Sequence, residues 1–291
     1  MSKFAFVILH FNAVGDTIEC IDSIFANMAG TDFDIIVVDN ASPDGSGAVL
    51  AEKYADERRV KVILNAENSG FSRGNNIGFV YAKEHFAPDF IVMLNNDTLL
   101  LQPDFAGLVE KEYARSGFAL MGPLVETPGA DFGSNPTAMK ERPAAHYLLH
   151  IIKVCHNQMM TFLGLESAYQ RLKAKLRRRS AARLQTEGCR EVKENVELHG
   201  CFWIFCRPYI DIFDGIEAST FLYGEEPMLF HRLKINGLKS VYQPGIHVYH
   251  KEDRSTNTMH STPRNKKLFR NRLAIKADWA IIRNRLTEKP L

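Results

Sequence analysis

The sequence is poor in cysteine, with five among 291 residues and no CxxC pair. That odd, scattered set (Cys20, Cys155, Cys189, Cys201 and Cys206) argues against a disulfide framework or a zinc site and reads as buried, reduced thiols. No stretch approaches the ~18 uninterrupted apolar residues that crossing a bilayer requires. The N-terminal run MSKFAFVILHFNAVGD is broken by His10 and Asn12, and it lacks the long apolar core and small-residue cleavage site of a secretory signal. Net charge is also scarce: a formal balance of +2 gives no ground for a nucleic-acid partner. Internal repeats and low-complexity tracts are absent. These absences predict a cytoplasmic protein, soluble or peripheral to a membrane. With 45% apolar and 24% charged residues, the chain suits one large α/β domain or two small ones.

What is present is an alternation. Residues 4–9 read as a strand, and 16–28 as a helix with apolar positions at helical spacing. Residues 34–39 (DIIVVD) form a β-branched run of the kind buried on both faces of a parallel sheet, and NASPDGS after it is a turn and helix-capping signal. A helix to about residue 54, a strand over 60–64, a Gly/Asn-rich connection over 65–78, a helix to about 85 and a strand over 90–94 follow. The pattern predicts a doubly wound α/β sheet, in which ligands sit beyond the carboxyl ends of the strands. The polar punctuation falls at those ends: Asp39-Asn40, Asn65 to Asn76, and Asn95-Asn96-Asp97.

The second half is less regular. Residues 126–143 read as a long loop, and 146–185 as helical with a strongly basic second part from Arg171 to Arg183. Residues 200–206 resume the sheet, 220–237 form an acidic turn leading into a helix, and 240–243 and 245–250 read as the last two strands. From Pro263 onward the chain reads as a basic helix bearing Phe269 and Trp279.

Several runs suit chemistry, each beside a plainer structural reading. An apolar strand ending in Asn95-Asn96-Asp97 offers oxygen ligands to a hard divalent cation, which needs only one or two protein carboxylates when diphosphate completes its shell; taken alone, the run reads first as a polar turn capping the next helix. NSGFSRGNNIG (68–78) lets the backbone approach a phosphate at a helix N-terminus, with Arg73 to steady a diphosphate, or is a turn-rich linker. In FLYGEEPML (221–229) Glu225 or Glu226 can serve as a general base, or as a helix-capping neighbour ahead of Pro227. His250 closes the last strand and reads as structural unless it lies near Asp97.

Together, VVDNASPDGS, NSGFSRGNNIG, LNNDT, FLYGEEPML and the terminal VYH resemble, in order and spacing, the bacterial family-2 inverting glycosyltransferases of the GT-A fold, of the rhamnosyltransferase-like or cell-surface polysaccharide type. The resemblance spans roughly residues 4–250. It implies an α/β, Rossmann-like and mostly parallel central sheet flanked by helices, with a helical insertion and a C-terminal basic helix. On it the chain divides into a glycosyltransferase domain over 1–262 and a basic helix over 263–291. Within the domain, 1–125 would be the nucleotide-sugar-binding half, 126–195 the loop and basic helical insertion, and 196–262 the acceptor half.

By position, the resemblance implies that Asp39 reads the nucleotide base, with Asn12 and Asn40 near base and ribose. Arg73 and Asn75 would line the donor, with Asn95 and Asn96 beside it. Asp97 and His250 would hold Mg²⁺ or Mn²⁺, and Glu226, with Glu225 beside it, would be the base. Two departures stand out. One carboxylate remains in the metal motif where many relatives have two or three, and Glu-Glu-Pro-Met replaces the usual Glu-Asp followed by a further acid. The implied reaction moves a sugar with inversion from a UDP- or dTDP-sugar to a saccharide or lipid-linked saccharide. The basic stretches add an anionic membrane surface as a partner. The competing readings are an inactive nucleotide-sugar-binding module and a sugar nucleotidyltransferase, which usually carries a lysine-containing glycine loop where this chain has His10 to Gly15. A processive synthase is disfavoured, since there is no QxxRW run.

Overall fold

Strand β1 (Lys3–His10) places Phe4, Phe6 and Ile8 on one face and Ala5 and Val7 on the other, and β2 (Asp32–Asp39) sorts Ile35 and Val37 from Ile36 and Val38 in the same way. All are buried, so the sheet needs cover on both sides. Helix α1 (Val14–Asn27) supplies it on the first face through Cys20, Ile21 and Ile24. Helix α3 (Phe71–Phe86) supplies it on the second through Phe79 and Ala82. Gly78 permits the close approach of α3, since a Cβ there would lie 2.4 Å from Cγ1 of Val7.

This computed structural model describes residues 2–128, 135–163, 190–251 and 263–290. Among them the remaining strands are β3 (Val60–Leu64), β4 (Phe90–Asn95), β5 (Thr98–Leu100), β6 (Leu120–Glu126), β7 (Lys193–Glu194), β8 (Phe202–Cys206) and β9 (Ser240–His250). The remaining helices are α2 (Ser46–Lys53), α4 (Phe105–Ser116), α5 (Ala144–Phe162), α6 (Arg207–Ile210), α7 (Glu225–Ile235) and α8 (Pro263–Thr287). The sheet runs β3-β2-β1-β4-β8-β6-β9-β5, with β7 on β9. Its longest ladders, β1–β2, β1–β4 and β6–β9, are parallel, and β8 joins the two halves by antiparallel pairing to β4 and β6. The architecture is thus the expected α/β sheet flanked by helices.

Two sequence expectations change. The last two strands are one, β9, whose register against β6 shifts at Pro123/Leu124, so the Gln243-Pro-Gly turn signal bends a strand without ending it. Cys155 is exposed on α5, whereas Cys20, Cys201 and Cys206 are buried as expected. The C-terminal helix packs against α5 and α7. In α8, Ile281 clusters with Tyr147 of α5 and Met228 of α7, His150 Nδ1 lies 2.7 Å from Asp278, and Arg232 donates to Glu288 at 2.6 Å. The basic run from Arg171 to Arg183, and Cys189, lie outside the described residues.

Candidate active site

Strand β4 leaves the core at Asn95, whose N–H donates to the carbonyl of Cys201 ahead of β8. The chain then turns through Asn96 and Asp97 into β5, which pairs with β9 so that Thr98 faces His250. That register brings Asp97 and His250 together: Nε2 of His250 lies 3.2 Å from Oδ1 of Asp97 and 3.4 Å from Nδ2 of Asn95. Both residues are buried, and Nδ1 of His250 has no partner among the described residues.

Across the cavity, Tyr223 and Gly224 both take positive φ (72° and 91°), turning the chain into α7. Gly224 packs there under α8, where a Cβ would lie 3.3 Å from Ala277 Cβ and 3.4 Å from Ile281. This turn sets Glu225 and Glu226 at the helix start, where the N-terminal dipole favours anions. Glu226 Oε1 accepts the N–H of Gly200 at 2.7 Å. Burial raises the Glu226 carboxyl above its ordinary range, opposed by that hydrogen bond and by the charge of Arg142. Glu225 is less exposed, its Oε1 has no partner among the described residues, and burial pushes its carboxyl up to about 7.

A cavity of about 520 Å³ collects these groups at the carboxyl ends of β1 and β4. Its lining includes Asn40, Asn95, Asn96, Asp97, Glu225, Glu226 and His250 among the residues singled out from the sequence. Asn12, Asp39, Arg73 and Asn75 lie outside that lining. Asp39 is turned to its own loop, where it accepts the N–H (3.2 Å) and hydroxyl of Ser42 and fills the space beside Gly47. Asn12 donates its N–H to Ser42 at 2.9 Å. Arg73 is on the surface of α3, its Nε 3.4 Å from the carbonyl of Ala218, and Asn75 is buried, donating to the carbonyl of Phe71.

Several site residues escaped the sequence reading. Phe11, Phe71, Tyr223 and His199 line the cavity, and Phe269 brings α8 into it. His10 is fully buried, with Nδ1 2.7 Å from Thr17 Oγ1 and Nε2 2.8 Å from Ser46 Oγ, while Thr17 accepts from Asn96 at 3.0 Å. Burial lowers the His10 pKa, so a neutral ring links the β4 turn to α2. Arg142 sits 3.3 Å from buried Glu197 and acts electrostatically on Glu226. Lone charges in a loop carry no sequence signal. The polar run from Asn95 to Asp97 does, and the neutral histidine behind it could have been suspected from His10 interrupting an apolar strand.

The donor set can be tested against a divalent cation. Among the described residues no group of three or more His, Cys, Asp and Glu side chains could hold a metal alone. Asp97 and His250 form a half-shell of one carboxylate oxygen and one imidazole, flanked by the carboxamides of Asn95 and Asn96. This fits a hard cation whose remaining ligands are phosphate oxygens and water.

The sequence model of the family described as Glycosyl transferase family 2 matches residues 5–182. Among solved structures the chain is similar to GalNAc-T7 with UDP, GalNAc and Mn²⁺, at a TM-score of 0.57 and 13% identity, over 86% of this chain and 44% of that one. It is also similar to residues 1–349 of S. aureus TarS, at a TM-score of 0.53 and 12% identity, over 98% of this chain and 70% of that one. At such identities the likeness is one of fold, and this chain spans less than half the length of the GalNAc-T7 chain.

Proposed function

The chain belongs to glycosyl transferase family 2, and from that premise we propose that it moves a sugar from a UDP- or dTDP-sugar, with inversion, to a hydroxyl of a saccharide or lipid-linked saccharide in cell-surface polysaccharide synthesis. The observation that carries this reading is the convergence of Asp97 and His250 with Glu225 and Glu226 on one cavity. In the reaction, the acceptor oxygen forms a bond to the anomeric carbon as the bond to the diphosphate oxygen breaks. The acceptor proton goes to Glu226, and the nucleoside diphosphate leaves.

Glu226 suits the base better than Glu225 because the Gly200 N–H fixes one carboxylate oxygen and leaves the other to face an acceptor. Burial raises both carboxyls, so position rather than titration separates their roles. Asp97 and His250 would hold the cation, which when bound supplies charge neutralisation to the leaving diphosphate. Asn40 and the Asn65–Gly70 connection would bound the nucleotide end, and Asp39 and Asn12 would meet the base after the Ser42 contacts open. Arg73 and Asn75 would act from α3 rather than from the cavity wall.

A thermal-shift panel of UDP, dTDP, GDP and CMP, each with and without Mn²⁺, tests the donor site, because a ligand of the native state raises stability by mass action. UDP or dTDP should raise the melting temperature only with metal, and EDTA or Asp97→Ala should remove the shift. A flat response to all four nucleotides would favour the inactive-module reading.

A further inference from the structure

Helix α5 is apolar on two sides. Tyr147, Ile151 and Val154 are buried toward the protein, with Tyr147 clustering with Met228 of α7 and Ile281 of α8. On the other side Leu148, Leu149, Ile152, Met159 and Phe162, with Leu163 just beyond, are exposed, Leu149 to 66% and Phe162 to 75%. At 100° per residue these side chains fall on one continuous stripe. A packed face explains the first set, and among the described residues nothing in the interior uses the second.

The charges around the stripe identify what covers it. From residue 144 to 163 there is no carboxylate, while Lys153, His146 and His156 are exposed along the same helix. In sequence, residues 164–183 continue with seven lysines and arginines against one glutamate. We propose that the exposed face of α5 docks on an anionic phospholipid surface, lying in the plane of the headgroups with its leucines, Ile152 and Phe162 inserted. A second copy of the chain fits less well, since two such helices face to face would bring like charges together with no acid on either to pair them. No described helix is long and apolar enough to cross a membrane. The C-terminal helix, which the sequence also offers for such a surface, buries Leu273, Ala277 and Ile281 in the packed interior and leaves Trp279 exposed.

This inference rests on no step of the transfer reaction, so its test reads binding alone. The full chain is floated with vesicles of phosphatidylcholine, or of phosphatidylcholine mixed equally with phosphatidylglycerol, at low and high salt. Binding is expected to the anionic vesicles, weakened by salt, and roughly tenfold or more lower for the double variant Ile152→Glu/Phe162→Glu. Leu286→Glu, an exposed leucine on α8, should bind like the native chain, and all three proteins should share one melting temperature. Absence of binding to anionic vesicles at low salt would overturn the proposal, as would binding that survives the double substitution. A solution dimer that the double variant makes monomeric would overturn it in favour of self-association.

Discussion

Two neighbouring glutamates at the start of α7 meet different surroundings, and Glu225 shows the consequence most directly. Its carboxyl is raised from 4.5 to about 7, first by burial and then by the charge of Glu226. The folded state therefore holds the proton more tightly than the unfolded chain does. That contribution is complete below the unfolded value and is lost as pH rises through about 7. Glu225→Gln, which keeps the shape without the titration, should melt above the native chain at alkaline pH, with a gap that closes on acidification. The shift corresponds to at most ~3 kcal/mol. A gap that does not vary with pH would contradict the desolvated carboxyl.

Residues with a strong local signature were legible: Asn95, Asn96 and Asp97 closing an apolar strand, and Glu225-Glu226 between aromatic residues and a helix, all line the cavity. In sequence His250 carries weight only beside Asp97, and β5–β9 pairing brings it there. Arg142 and Glu197 were not legible, because their pairing depends on a fold contact 55 residues apart.

Among the elements, the connection between β3 and α3 shows how one side chain holds a loop. Asn40 Nδ2 donates to Asn68 Oδ1 at 2.9 Å and to the Gly70 carbonyl at 3.1 Å, and its Oδ1 accepts from Ser69 N–H at 3.0 Å. Gly70 has φ of 83°, and a Cβ there would lie 2.3 Å from the backbone oxygen of Phe221, which accepts the N–H of Phe71 at 2.8 Å. The loop is thereby clamped between the two halves of the sheet. Asn40→Ala should cost ~2–3 kcal/mol in denaturant unfolding by leaving buried groups unpaired. Gly70→Ala should lower the melting temperature and weaken nucleotide binding together. Retained binding in Gly70→Ala would show that the clamp does not shape the donor end.

Strands β1 to β4 match their predicted positions because uninterrupted β-branched or aromatic runs bounded by turns leave little ambiguity. Strand β5 is only three residues long, and β6 carries Gly122 and Pro123 mid-run, so local pattern failed for both. Yet β5 is the strand whose register joins Asp97 to His250.

For the whole molecule, the C-terminal helix is the decisive part. Helix α8, read from the sequence as a basic helix, covers Gly224 and Met228 beside the glutamates and brings Phe269 to the cavity, and Glu288 just beyond it pairs with Arg232. Its basic composition concealed the packed stripe of Leu273, Ala277 and Ile281. Ending the chain at residue 262 should lower the melting temperature and abolish the nucleotide shift with it. A truncated chain that melts and binds as before would make α8 an accessory.

The most direct measurement compares Glu226→Gln with the native chain in two assays: nucleotide binding by thermal shift with Mn²⁺, and nucleoside diphosphate release from a panel of UDP- and dTDP-sugars with saccharide acceptors. Binding should be unchanged while turnover falls about 10²–10⁴-fold, as expected for loss of a general base. Unchanged turnover in a folded Glu226→Gln protein would remove Glu226 from that role and contradict the proposed mechanism.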